Sequence, residues 1–252
     1  MTGFSDAEGC FHLSILKRSE PKTGWQVRLE FQISLHIKDI TLLETFRSFF
    51  GVGSLYNSGS MAYFRVISIK DLTIIVNHFK DFPLKSQKAA DFLLFEKAFD
   101  LIKLKKHLEG LEGLEQLVAI KASMNHGLSD QLQKGFPNTR AAKRARISIG
   151  KIEQVQWMAG FASGDGCFEI YINKKESTRS KHYIKLSFSL TQHARDTELM
   201  RRCIDFFQAG SVIQNQNSSV FRISKFEDLF YKVLPLFKEA QILGNKAKDF
   251  ND

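Results

Sequence analysis

The chain has 252 residues, 43% hydrophobic and 25% charged, with 4 Pro and no low-complexity tract, which excludes a mainly disordered protein and allows one large core or two ordinary ones. No apolar run reaches the ~18 residues of a membrane span, and the opening MTGFSDAEGCF carries acids where a secretory leader needs an apolar stretch, so an intracellular, globular protein without a membrane partner is expected. Three Cys at 10, 167 and 203 lack metal-ligand spacing and read as small buried residues, while a formal net charge of +9 suits a densely anionic partner, most simply nucleic acid.

In chain order, a short helix ends at Gly9. His12 to Lys17 and Gln26 to Leu35 alternate as half-buried strands, with Leu13, Ile15, Val27, Leu29, Phe31 and Ile33 inward. The other face holds His12, Ser14, Gln26, Arg28, Glu30, Gln32 and Ser34. Thr41 to Phe50 reads as a helix closed by Gly51, residues near Ser54–Tyr56 and Tyr63–Ile69 as a hairpin, and Lys70 to Phe79 as a helix. A linker follows, with a predicted helix at Leu111–Ser123, a turn near Gly127, and a basic stretch containing Arg140, Lys143, Arg144 and Arg146. Those four cations suit phosphate contacts and a solvated run equally.

The second half repeats the first at an offset of 157 residues, the distance from Glu8 to Asp165. Gly3-Phe4 and Glu8-Gly9-Cys10-Phe11 match Gly160-Phe161 and Asp165-Gly166-Cys167-Phe168; His36 and Asp39 match His193 and Asp196; Phe64-Arg65 matches Phe221-Arg222. Lys88 matches Lys246 one residue out of step. The chain therefore divides into repeats at 1–95 and 153–252 around a linker at 96–152, giving an α+β fold of two pseudo-symmetric αββαββα units. In the second repeat Ile184, Leu186, Phe188 and Leu190 are predicted to be buried and Lys185, Ser187, Ser189 and Thr191 exposed. One polar sheet face alone is ordinary; two in a duplicated chain suggest an extended saddle, and a β-ribbon fits the DNA major groove. The counterpart of Val155 would precede residue 1, so the first helix is expected to be a turn shorter, as in a chain trimmed from a longer one.

Gly3-Phe4-Ser5-Asp6-Ala7-Glu8-Gly9 and Ala159-Gly160-Phe161-Ala162-Ser163-Gly164-Asp165-Gly166 resemble the two motifs of LAGLIDADG homing endonucleases, in the subgroup from fungal mitochondrial introns. Pro83 to Lys88 and Lys121 to Asn125 carry the likeness further. Independently of it, the small residues Gly3 with Ala7, and Gly160 with Gly164, lie four apart on one helix face and permit close backbone approach. Glu8 and Asp165 then meet at helix C-termini, where the dipole disfavours negative charge by about 0.3–1 kcal/mol, so the pair calls for a cation. Mg²⁺, or Mn²⁺ or Ca²⁺ in its place, takes carboxylate and carbonyl oxygens and can activate water toward a phosphodiester. The resemblance implies that each acid serves one strand, that the carbonyls of Ala7 and Gly164 also bind metal, and that the chain acts in mitochondria. Lys88 and Lys246 suit stabilisation of phosphate charge, or are ordinary surface lysines. Asp6 is replaced by Ser163, a structural position, and Asp165 is one methylene shorter than the Glu usual in the subgroup.

The reading is a monomeric, metal-dependent endonuclease that cuts a long, non-palindromic duplex without a protein partner. Base-reading residues are expected at His12, Ser14, Gln26, Arg28, Glu30, Gln32, Ser34 and Arg65, and at Glu169, Tyr171, Asn173, Lys185, Ser187, Ser189 and Arg222; Arg140, Lys143 and Arg144 are the candidate phosphate contacts. The rivals are an RNA-binding intron maturase on the same fold and a non-catalytic DNA-binding module, which the intact acid pair disfavours.

Overall fold

Alternating stretches form strands and amphipathic stretches form helices where the patterning places them. The computed structural model describes residues 1–19, 23–174 and 182–252, with backbone only at 173, 174 and 182. Helix α1 (Thr2–Glu8) leads into β1 (Gly9–Lys17) and β2 (Trp25–His36), followed by α2 (Ile40–Phe50), β3 (Ser54–Ser58), β4 (Met61–Val66) and α3 (Ile69–Asp81). The middle of the chain carries α4 (Lys88–Lys103), α5 (Lys106–Glu109), α6 (Leu111–Ala122) and α7 (Asp130–Gly135). The second set is α8 (Val155–Asp165), β5 (Gly166–Lys174), β6 (His182–His193), α9 (Thr197–Phe207), β7 (Ser211–Gln214) and β8 (Ser218–Ile223). Then α10 (Phe226–Asp228) passes through a π-helical turn, Leu229–Val233, into α11 (Leu234–Glu239), before α12 (Lys246–Asn251). No described helix is long and apolar enough to cross a membrane.

Packing gathers the described residues into two compact units, Gly9–Ile147, and Met1–Glu8 with Ser148–Asp252. The first motif helix thus packs with the second sheet's unit although it opens the first repeat.

In the unit Gly9–Ile147 the antiparallel sheet has the order β1-β2-β4-β3. Phe11, Phe31, Phe46, Phe64, Phe79 and Phe95 are almost fully buried, and Phe11 meets Phe79 edge-on at 5.3 Å. Each such ring contributes about 1.5–3 kcal/mol of transfer free energy. α4, α6 and α7 lie on β1, so Leu13, Ile15 and Leu29 are buried as predicted. The sequence reading missed α4, which buries Ala90, Phe92, Leu94, Phe95, Ala98, Phe99 and Ile102 on more than one side and so lacks a clean apolar stripe.

The other unit repeats the topology as β5-β6-β8-β7, with matching register: Gly9 pairs with Ile33 and Gly166 with Leu190, Arg65 with Gln32 and Arg222 with Ser189. Gly53 and Gly210 both have φ near +90°, and a Cβ there would fall 2.9 Å and 2.7 Å from the carbonyl oxygens of Arg65 and Arg222, so glycine is required at both turns.

Two expectations fail here. Phe188 and Leu190 are buried, but Ile184 and Leu186 are exposed, because their end of the sheet lacks the helical cover that α4, α6 and α7 give β1. Ser187 and Ser189, expected outside, are only 4% exposed: short side chains facing Glu169 and Arg222 across the strands, they sit beneath longer neighbours. The cysteines also divide. Cys203 is buried, whereas Cys10 and Cys167 are exposed, because strand alternation turns Phe11 inward and them outward.

Candidate active site and nucleic-acid interface

Backbone contact between α1 and α8 sets the geometry of the acid pair, all within one unit. A Cβ on Gly3 would lie 1.9 Å from the carbonyl oxygen of Trp157, one on Gly160 3.0 Å from the Phe4 nitrogen, and one on Gly164 2.3 Å from Ala7 Cβ and 3.2 Å from Glu8 Cγ. Only glycine lets the helices approach so closely. Trp157 Nε1 donates to buried Asp6 Oδ2 at 2.8 Å, and Ser163 Oγ accepts from the Leu243 N–H at 2.9 Å, so this motif position anchors structure in both repeats.

Glu8 and Asp165 end these helices, bringing two carboxylates and the carbonyls of Ala7 and Gly164 to one place. Lys246 Nζ donates to the Gly164 carbonyl oxygen. Burial pushes its ammonium down, against the opposing pull of Asp165 and Glu8. An ammonium on that oxygen, within reach of the charges of Asp165 and Glu8, marks the spot as cation-seeking. The set of hard oxygen donors fits Mg²⁺ or Ca²⁺, and among the described residues no cluster of three or more His, Cys, Asp and Glu offers an alternative centre. Gln192, missed in the sequence, donates from Nε2 to Asp165 Oδ2. Its matched position holds Leu35, so repeat comparison concealed it; its 27-residue distance from Asp165 across the β5–β6 register was the available signal.

On the first sheet Gln26 and Arg28 are exposed, and His12, Ser14, Gln32, Ser34 and Arg65 half-buried. Glu30 is corrected: only 8% exposed, it pairs with Arg65 and lies 3.6 Å from Arg28. Burial pushes its carboxyl up, against both arginines. Arg65 also donates to Gln32 Oε1 at 3.0 Å and stacks 4.5 Å over Tyr56, so its guanidinium is held from several sides. Burial and the cations Lys121, Arg28 and Arg65 push the His12 imidazole down.

On the second sheet Arg222 lies 4.0 Å from Glu169, and its Nε is buried with no hydrogen-bond partner among the described residues. For Glu169 burial acts upward, but hydrogen bonds from Tyr171 and Ser187 and the charge of Arg222 outweigh it and hold the carboxyl low. Tyr171 is exposed and Lys185 half-buried; the side chain of Asn173 lies outside the described residues. Ser187 donates to Glu169 Oε2 at 3.0 Å, which makes it, like Ser189, a support beneath the surface.

Among the linker cations Arg140, Lys143 and Arg146 are exposed. Arg144 is corrected. Its guanidinium binds both carboxylate oxygens of Asp91, 2.9 Å to Oδ2, and reaches the carbonyls of Ser123 at 3.2 Å and Gln87 at 3.4 Å.

Paired motif helices, matching antiparallel sheets and two helix-end acids define a two-motif α+β protein. The LAGLIDADG endonuclease family model matches residues 1–99 and 158–252, and the chain belongs to that family. It is 34% identical to the probable intron-encoded endonuclease 3 of Neurospora crassa over all of this chain and 48% of that protein. It is 35% identical to the probable intron-encoded endonuclease 2 of the same organism over 99% of this chain and 57% of that one. The chain therefore spans about half the length of these curated relatives. Among solved structures it is similar to the LAGLIDADG homing endonuclease I-SmaMI bound to cleaved DNA, with TM-score 0.96 and 38% identity over 99% of this chain and 85% of that one. The same enzyme on an uncleaved target with calcium ions gives TM-score 0.96 and 38% identity over 99% and 86%.

Proposed function

We propose that this protein is a site-specific DNA endonuclease that makes a double-strand break in a long asymmetric target by metal-dependent phosphodiester hydrolysis. The observation that carries the reading is the meeting of Glu8 and Asp165 at two helix ends packed through Gly3, Gly160 and Gly164, with Lys246 bonded to the Gly164 carbonyl.

A divalent cation there, Mg²⁺ in the natural reaction, supplies water activation and charge neutralisation at the scissile phosphate. The residues do the rest. Glu8 and Asp165 hold negative charge at helix ends that resist it, Gln192 fixes one oxygen of Asp165, and Lys246 keeps a half-buried ammonium beside the acids for the phosphate. Lys88 is the matching lysine of the first repeat. Arg28, Gln26, Gln32 and Arg65, with Lys185, Tyr171 and Arg222, read bases from their own sheets. Glu30, Ser187 and Ser189 support them from below. Arg140, Lys143 and Arg146 contact phosphates.

The two repeats, 1–95 and 153–252, are the two LAGLIDADG halves and 96–152 their linker. One chain therefore replaces a homodimer and binds a non-palindromic duplex as a monomer. Named intron-encoded relatives support an intron-encoded origin, relatives in ND4 and cox1 introns a mitochondrial site of action, and a calcium-bound neighbour divalent-cation dependence. Digestion of a plasmid library of randomised 24-base-pair inserts, a length of about two helical turns, tests the reading. It predicts linear product enriched in one asymmetric sequence with Mg²⁺ and none with a chelator. Linearisation unaffected by the chelator would overturn it.

A further inference from the structure

One planar group connects two helices of the unit Gly9–Ile147. Arg144 bonds the carbonyl of Ser123, which follows α6, and that of Gln87, which precedes α4, while its charge is met by Asp91 on α4. Lys121, in the last turn of α6, and Lys88, the first residue of α4, are thereby brought to the same end of the bundle. Asn125 Nδ2 fastens the next turn to β1 by donating to Phe11 O at 3.1 Å, and the neighbouring Cys10 thiol, pushed up mainly by burial, lies within reach of the charges of Lys88 and Lys121 as well as of Asp91 and Glu30.

Lys121 is half-buried, and among the described residues no carboxylate forms an ion pair with it. A cation kept partly out of water without an anion is costly unless a ligand supplies the charge. Asp91 is engaged by Arg144, and Glu30 by Arg65. Burial, and after it the charges of Lys121, Arg28 and Arg65, push the His12 imidazole on the same strand down.

We propose that Lys88 and Lys121 form a two-cation site for one DNA backbone phosphate at the start of β1, with Arg144 as the residue that positions them. The inference rests on the endonuclease reading but assigns a contact that the acid motifs do not. The site belongs to one half only. Lys246 and Asp249 are the counterparts of Lys88 and Asp91, yet among the described residues no arginine pairs with Asp249, and α6 has no second copy.

The test is duplex binding by the full chain across a salt series, for wild type, Lys121→Met and Lys121→Arg, with melting temperature followed in parallel. Met keeps most of the apolar stem and removes the charge. Losing one phosphate contact should flatten the slope of log K against log salt by about 0.9 for Lys121→Met, equally on specific and random duplexes, and Lys121→Arg should restore it. An unchanged slope for Lys121→Met overturns the site while leaving the endonuclease reading intact. A loss of slope that Arg fails to restore, with a fall in melting temperature, assigns Lys121 to packing and overturns it too. A wild type that binds no duplex would sink both readings.

Discussion

Asp165 and Glu8 differ by one methylene and by their neighbours. Gln192 Nε2 donates to Asp165, and the first repeat has Leu35 at that position. A hydrogen bond to a charged group is worth about 1.5–3 kcal/mol, so Gln192→Leu should slow hydrolysis of one strand at least tenfold relative to the other. Strand-resolved gels on end-labelled target check this; equal slowing of both strands would speak against an oriented Asp165. Arg28→Ala and Arg222→Ala should each cost about 1–3 kcal/mol on the preferred site and relax preference within one half, measured on a panel of single-base variants. Arg144→Met belongs to another category. Its pair with Asp91 is two-thirds buried, so its loss should cost about 2 kcal/mol in thermal unfolding, below the value for a fully buried pair. The matched acids were legible because the repeat aligns them. Arg144 was not, since its partner lies 53 residues away and nothing local separates a pinned arginine from a solvated one.

At the scale of elements, the motif helices meet through backbone, and the glycines rank themselves by the room each has. A Cβ on Gly3 would collide with the Trp157 carbonyl, whereas one on Gly160 meets its nearest atom at 3.0 Å. Gly3→Ala should therefore cost about 3 kcal/mol and abolish cleavage by displacing the acids, while Gly160→Ala costs about 1 kcal/mol. Calorimetry with a cleavage assay checks the order; equal effects would mean that the helices can slide apart. The strands of the first repeat followed their alternation closely. In the second, Ile184 and Leu186 carry the same alternation but are exposed, because alternation tells which face a side chain takes and not whether another element covers that face. α4 was illegible for the opposite reason: buried on several sides, it shows no amphipathic stripe.

For the whole molecule, duplication accounts for most of what the sequence disclosed, since strand order, register and the glycine turns recur across the 157-residue offset. Divergence of the polar sheet faces, with Arg28 matched to Lys185 and Glu30 to Ser187, predicts a monomer on a non-palindromic site under the proposed function. Sedimentation on target DNA should give one chain per duplex. The central claim, that two acids each serve one strand, is tested most directly by incubating target plasmid and Mg²⁺ with wild type, Glu8→Gln and Asp165→Asn. Each amide keeps the helix interface filled and removes one anionic oxygen ligand. The account predicts linear product from wild type alone, no double-strand cutting by either variant, and specific binding retained by both. Full linearisation by both single variants would contradict it.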